Sequence, residues 1–218
     1  MPSQTKENYL KALYHLSRKG DKITISELSK QMEVRIPTAN SMVKRLQENG
    51  WVVYEKYKPL EITAEGRKAA ALIIRKHRIA EMFLVEKMGF GWEEVHNIAE
   101  EIEHVNSEAF FDKMDEMLGF PTLDPHGSPI PDKDGFTKAN NFIPLSDVEA
   151  GKEVILSALK HDSHDFLKHL NEIQLELGLK LKVLSTTEFD GSSTIQYRGS
   201  DERTLSKMVT EKLLVREL

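Results

Sequence analysis

The stretch SELSKQMEVRIPTANSMVKRLQENG, residues 26–50, decides the fold. Ser26 opens a short helix with Leu28 and Met32 facing inward, Val34-Arg35-Ile36 makes a turn, and Pro37 sits in the first turn of a following helix, where proline is tolerated. Ala39, Met42, Val43 and Leu46 recur at helical spacing and form the inward stripe of that helix. Thr38, Asn40, Ser41, Lys44 and Arg45 are left polar and outward, and Gly50 is the C-terminal stop. This is helix-turn-helix grammar. Upstream, Thr5 can cap a helix running to about Arg18, with Tyr9, Leu10, Leu13, Tyr14 and Leu16 as its apolar stripe and Gly20-Asp21 as its end. Downstream, Trp51 to Glu55 and Leu60 to Thr63 read as short strands joined by a Lys56-Tyr57-Lys58-Pro59 tip, a basic wing.

Charge supports a nucleic-acid role for this third of the chain. The net charge of the 218 residues is −5, but residues 1–78 hold 16 Lys/Arg against 8 Asp/Glu, a net of +8, and the remainder holds 14 against 27, a net of −13. A basic module suits phosphate, and an acidic remainder suits cations. Short polar side chains in the N-terminal half of a recognition helix reach base edges, which fits Thr38, Asn40 and Ser41. Lys44, Arg45, Lys56 and Lys58 are placed for phosphates.

From Ala64 a long helix is expected to about Lys87, broken by Met88-Gly89-Phe90-Gly91. Trp92 to Leu118 supplies one or two more, with Val95, Ile98, Ala99, Ile102, Val105, Ala109, Phe110, Met114 and Met117 at helical period. That is more apolar surface than one small domain needs, and a helical dimer interface is a natural use for it. Residues 119–144 carry Pro121, Pro125, Pro129, Pro131 and Pro144 and read as a linker. Beyond it, strand-like runs at Val154 to Leu156, Leu179 to Leu184, Thr194 to Tyr197 and Leu213 to Val215 surround a helix near Asp165 to Asn171, with Asp190-Gly191 as a turn, as in a small SH3-like barrel. The expected fold is mainly α with small β. Residues 1–63 form a winged helix-turn-helix domain, 64–140 a helical metal-binding and dimerisation domain with its Pro-rich linker, and 141–218 an SH3-like, FeoA-like domain.

Two stretches place metal-ligand side chains on single helix faces. His77 and Glu81 are four apart, and His96, Glu100, Glu103 and His104 follow at spacings of three, four and eight. An i,i+4 His/Glu pair alone is weak, because such pairs often only stabilise an exposed helix. The second set is stronger, and the helix carrying His77 can complete it as His77, Glu100, Glu103 and His104. The chain has no cysteine, so any metal is held by nitrogen and oxygen. The longest purely apolar run, Ala69 to Ile74, is far short of a membrane span, and MPSQTKENYL lacks the apolar core of a signal peptide, so a cytoplasmic protein without membrane contact is expected. A metallohydrolase using the His/Glu stripe to activate water is the alternative from a different class. It leaves the winged helix and the basic first third unexplained, and no nucleophile motif accompanies the stripe.

A winged helix, then RKHRIAEMFL (75–84), VHNIAEEIEHVNSE (95–108) and GFPTLDPHGSPIP (119–131), then an SH3-like tail, resembles the DtxR/MntR family of metal-dependent transcriptional regulators over essentially the whole chain. The KHR-x-x-E, EHV-x-S-E and PHG-x-x-IP blocks carry the likeness. The resemblance implies a homodimer that is not an enzyme and that binds palindromic double-stranded DNA operators when loaded with Mn(II) or Fe(II), usually repressing metal-uptake genes. It implies one site of His77, Glu100, Glu103 and His104 with a ligand from the first helix. It implies another of Glu81 with His96, or with Asp124 and His126, completed by acids such as Asp162 and Asp165. How His77, Glu81 and His96 divide between the two sites differs among family branches, so the resemblance assigns them to metal without fixing the partition. Within the family, glutamate at the position of Glu100 marks manganese-responsive members and cysteine marks iron-responsive ones, so Mn(II) is expected ahead of Fe(II). The first-helix ligand, Asp or Met in relatives, is Asn8 here, and Lys11 stands where some short members have an acid.

Overall fold

The computed structural model describes residues 3–18, 20, 22–56, 58–138, 140–199 and 201–218. Asp21 of the expected Gly20-Asp21 stop and Tyr57 of the wing tip lie outside these described residues. Backbone contacts gather the chain into two compact units, Met1–Ala80 with Ile98–Thr122 and Ile130–Lys138, and Glu81–Asn97 with Leu123–Pro129 and Ala139–Leu218.

The first unit opens with α1 (Gln4–Arg18), α2 (Ile25–Gln31) and α3 (Ile36–Glu48), followed by β1 (Val52–Val53) and β2 (Glu61–Ile62). Thr5 lies inside the first turn of α1 rather than capping it, and the Glu7 amide bonds the Ser3 carbonyl at 3.2 Å. Helix α2 starts one residue before Ser26, because Thr24 and Glu27 form a capping box. The Glu27 amide donates to Thr24 Oγ1 at 3.1 Å and the Thr24 amide to Glu27 Oε2 at 2.8 Å. Proline opens α3 as expected, and Ala39, Val43 and Leu46 pack with Leu10, Leu13 and Leu28 in one core, while Met42 is half-buried against it. The wing pairs antiparallel with Val52 opposite Ile62 and Val53 opposite Glu61. Gly50, at φ +74°, turns the chain from α3 into it.

Helix α4 (Ala64–Met88) ends at Gly89, φ +78°, and is followed by α5 (Val95–Ile102) and α6 (Glu108–Met117), the latter capped by Ser107 Oγ accepting from the Phe110 amide at 3.3 Å. Within the first unit Arg75 bridges elements: Nη2 donates to the buried carboxylate of Asp115 at 2.5 Å and Nη1 to the Pro131 carbonyl at 2.7 Å.

The C-terminal residues of the second unit form a six-stranded antiparallel sheet of β3 (Ile143–Pro144), β4 (Glu153–Leu159), β5 (Lys180–Thr186), β6 (Ser193–Tyr197), β7 (Asp201–Leu205) and β8 (Leu213–Glu217), in the order β3-β8-β4-β5-β6-β7. Helices α7 (His164–Glu172) and α8 (Lys207–Thr210) complete it. Alternate residues Leu156, Leu181, Val183, Ile195, Leu213 and Val215 are fully buried with Leu167 and Leu170 of α7. Two strands had no sequence signal. β3 is two residues long and ends in proline, and β7 is a polar edge strand whose Glu202 and Arg203 face solvent, the composition that keeps an edge from pairing with another chain.

Candidate metal centre

In the second unit, the loop 124–128 is shaped by its own side chains. Asp124 Oδ1 accepts from the amides of His126 and Ser128, both at 2.9 Å, and Gly127 takes φ +82°, where a Cβ would come within 2.3 Å of the Ser157 carbonyl oxygen. Only glycine lets the loop lie this close to β4, where the Leu159 amide donates to the His126 carbonyl at 2.9 Å. The result is a cluster of Glu81, Asp124 and His126, all buried, each offering a ligand atom within 4.8 Å of the others.

The histidine is held in one tautomer. Its Nε2 lies 2.8 Å from the Trp92 carbonyl, which can only accept, so Nε2 carries a proton and the neutral imidazole, the form that binds metal, has its lone pair on Nδ1. That Nδ1 is buried with no hydrogen-bond partner, 3.9 Å from Glu81 Oε2. A lone pair facing a carboxylate is unfavourable without a cation between them, so the donor set fits a divalent ion. His96 Nδ1 stands 3.4 Å from Glu81 Oε1, with nearly half of its side chain exposed. Asp162 and Asp165 are exposed and join no ligand group among the described residues. In the first turn of α7, His164 instead bonds the Glu93 carbonyl at 3.0 Å.

The first unit holds a second cluster, His77 with Glu100 and Glu103, its ligand atoms again within 4.8 Å. Glu103 is fully buried and accepts from His77 Nδ1 at 2.8 Å. His104 Nε2 lies 3.5 Å from Glu103 Oε1, and its Nδ1 bonds Glu7 of α1 at 2.5 Å, a partner that sequence reading missed. Lys11 enters the same cluster. Its Nζ lies 2.8 Å from Glu100 Oε1, 2.7 Å from Glu103 Oε1 and 2.9 Å from Glu103 Oε2. Asn8, one turn earlier on α1, has a buried Oδ1 without a partner.

Of the seven residues expected at DNA, Thr38, Ser41, Lys44, Arg45, Lys56 and Lys58 are exposed. Asn40, expected outward, is half-buried with its Oδ1 shielded, because it lines a cleft of about 630 Å³ with Ile36 and Pro37 of α3 and Tyr54, Lys56 and Lys58 of the wing. Lys58 also pairs with Glu55 at 2.6 Å.

Comparison with known proteins matches three stretches of the chain. Residues 1–60 match the family described as iron dependent repressor, N-terminal DNA binding domain, residues 63–132 the iron dependent repressor, metal binding and dimerisation domain, and residues 143–217 the FeoA domain. The iron-dependent repressor IdeR of Mycobacterium tuberculosis is 30% identical over 214 residues, 92% of each chain. A solved structure described as a manganese-dependent transcriptional repressor in complex with manganese superposes with a TM-score of 0.86 at 29% identity, covering 98% of this chain and 100% of that one. ScaR with bound Cd2+ superposes at 0.81 with 30% identity, covering both chains in full. No helix among the described residues is long and apolar enough to cross a membrane.

Proposed function

Because the chain belongs to the DtxR/MntR family of metal-dependent transcriptional regulators, also described as iron-dependent repressors, we propose that it is a Mn(II)-activated repressor of metal-uptake genes. In this reading it is a cytoplasmic homodimer, not an enzyme, that binds palindromic operator DNA. One observation carries the choice of sensing site: the buried, unpartnered Nδ1 of His126 beside Glu81 and Asp124.

Glu81, Asp124 and His126 would hold the ion, with His96 beside them, and the bound charge would offset two carboxylates brought together in a buried place. All donors are oxygen or imidazole nitrogen, a set that suits Mn(II). Fe(II) is the runner-up because it differs only modestly in ligand preference. Glu81 lies on α4, whereas Asp124 and His126 come from a loop far along the chain, so the site is complete only when these segments are together. An ion shifts a conformational equilibrium only by its differential affinity for the two states, and ligands from separate segments supply that difference.

Readout at DNA falls to α3 and the wing, with Thr38, Asn40 and Ser41 toward bases and Lys44, Arg45, Lys56 and Lys58 toward phosphates. The exposed apolar side chains Val105, Phe110, Met117 and Phe120 support a homodimer through the α5 and α6 region. The domain limits proposed are those read from the sequence, 1–63, 64–140 and 141–218.

The test is an anaerobic mobility-shift assay on a candidate palindrome with no metal, with Mn(II) and with Fe(II). Tight binding only with Mn(II) is expected, and equal binding in all three conditions overturns the switch. Preference for Fe(II) over Mn(II) would select the iron-responsive reading.

A further inference from the structure

The His77, Glu100 and Glu103 cluster already contains a cation. We propose that Lys11 is its resident charge, an ammonium tethered to α1 in the place a divalent ion would take, so that this cluster closes without metal and each subunit binds one regulatory ion, at Glu81, Asp124 and His126. The contrast between the two clusters rests on the metal-regulated reading above, but the assignment of Lys11 stands on its own contacts.

Nζ reaches both carboxylates at once, 2.8 Å from Glu100 Oε1 and 2.7 and 2.9 Å from the two oxygens of Glu103. The lysine side chain is only 12% exposed and that of Glu103 not at all, so the contact is a half-buried ion pair rather than a surface one. His77 Nδ1 bonds Glu103 Oε2 and His104 Nδ1 bonds Glu7, which leaves Nε2 as the ligand atom of each ring, so the lysine and not the imidazoles fills this cluster. Two carboxylates and one ammonium leave a single net negative charge. A divalent ion added here would reverse the sign of the cluster and stand beside the ammonium, so it must first displace Nζ from both acids. Glu103 Oε1 and His126 Nδ1 are both buried without a hydrogen-bond partner, but Glu103 Oε1 has the Lys11 ammonium at 2.7 Å, whereas His126 Nδ1 faces a carboxylate, Glu81 Oε2, at 3.9 Å.

The functional consequence is a latch. Glu100 and Glu103 lie in and just after α5, and Lys11 and Glu7 lie on the first helix of the DNA-binding module. The contacts that join them need no ion, so α1 is fastened to this region in metal-free protein. Asn8 shares a helix face with Lys11 and holds an unpartnered oxygen, so a carboxylate at position 11 would complete a metal-competent set that the lysine blocks.

The experiment counts Mn(II) per subunit on the full chain, from the electron paramagnetic resonance signal of free Mn(II) during titration, with circular dichroism to confirm folding. Expected are one ion for the wild type, one ion again for His77→Ala, two for Lys11→Glu and one for Lys11→Glu/His77→Ala. His126→Ala should weaken the wild-type ion at least about tenfold. A second wild-type ion that disappears in His77→Ala overturns the proposal, as does a folded Lys11→Glu protein that gains none. If Lys11→Glu does not fold, the wild-type and His77→Ala counts decide alone. If the wild type binds no ion, the regulatory reading fails at Glu81, while a gain of one ion in Lys11→Glu still supports the role given to Lys11.

Discussion

His126 donates from Nε2 to the Trp92 carbonyl at 2.8 Å while its ring stacks on the Trp92 indole, centroids 6.0 Å apart. The indole is itself fixed, with Nε1 donating to Asn171 of α7 at 2.7 Å. Trp92 therefore sets both the tautomer and the plane of the imidazole without contributing a ligand. Trp92→Ala keeps the backbone carbonyl but removes the stacking and the anchor, so Mn(II) affinity should fall about tenfold with the ion count unchanged. Calorimetric titration checks this; an unchanged Kd would show that the loop alone orients His126.

Gly127→Ala tests that loop. The added Cβ meets the Ser157 carbonyl oxygen at 2.3 Å and Ala158 Cα at 2.5 Å in a backbone conformation that L residues rarely adopt. Both Asp124 and His126 must shift, so the variant should melt at a lower temperature and lose Mn(II) affinity together. Ser128→Ala, in the same loop but with its amide retained, should change neither.

Much of this was legible before the structure because it is local. Pro37, Gly50 and the stripe Ala39, Val43 and Leu46 specify the thirteen-residue α3 from neighbouring positions, and the spacing of His77/Glu81 and of His96/Glu100/Glu103 puts each set on one helix face. The start of α2 lies one residue before the Ser26 expected, because Thr24 is the cap and has Glu27 three residues on to close the box. What the sequence hid is long-range. Lys11 meets its acids across 89 and 92 residues and Glu7 meets His104 across 97, and no periodicity links such pairs. Asp162 and Asp165 were expected from resemblance rather than from any pattern of their own, and both face solvent.

Arg75 and Asp115 form an ion pair whose side chains are 14% and 5% exposed, with the Pro131 carbonyl taking a further guanidinium proton. Removing one partner strands a buried charge, so Arg75→Met should lower unfolding free energy by roughly 3 to 5 kcal/mol. The double variant Arg75→Met/Asp115→Leu should recover most of the loss, because neither charge then remains. Urea denaturation of the two variants decides it, and equal losses would show that the Pro131 bond dominates.

His15 gives the pH dependence. Dehydration by its surroundings, then the charges of Arg78, Lys11, Arg18 and His77, lower its pKa from 6.5 to about 4. A lowered folded-state value means that the unfolded chain takes up the proton first as pH falls. Stability is therefore unaffected above about pH 6.5, declines between 6.5 and 4, and levels off below. His15→Gln should flatten the acid limb of the stability curve in that window. An imidazole proton resonance titrating at 6.5 or above would contradict the assignment.

Lys44 and Asn40 separate the two kinds of DNA contact. Lys44 is exposed on α3 with a mobile charge suited to phosphate, so Lys44→Ala should weaken binding to every sequence and reduce the slope of log affinity against log salt by about 0.9 if one contact is lost. Asn40 carries no charge and is half-buried in the cleft between α3 and the wing, with a shielded oxygen that protein groups do not satisfy. Asn40→Ala should therefore leave the salt slope intact and alter which operator is preferred, because an amide in a fixed pocket reads hydrogen-bonding pattern rather than charge. Competition binding at several salt concentrations resolves the two effects. A Lys44→Ala protein that changed sequence preference at constant slope would place Lys44 at a base edge and move phosphate contact to Arg45 and the wing lysines.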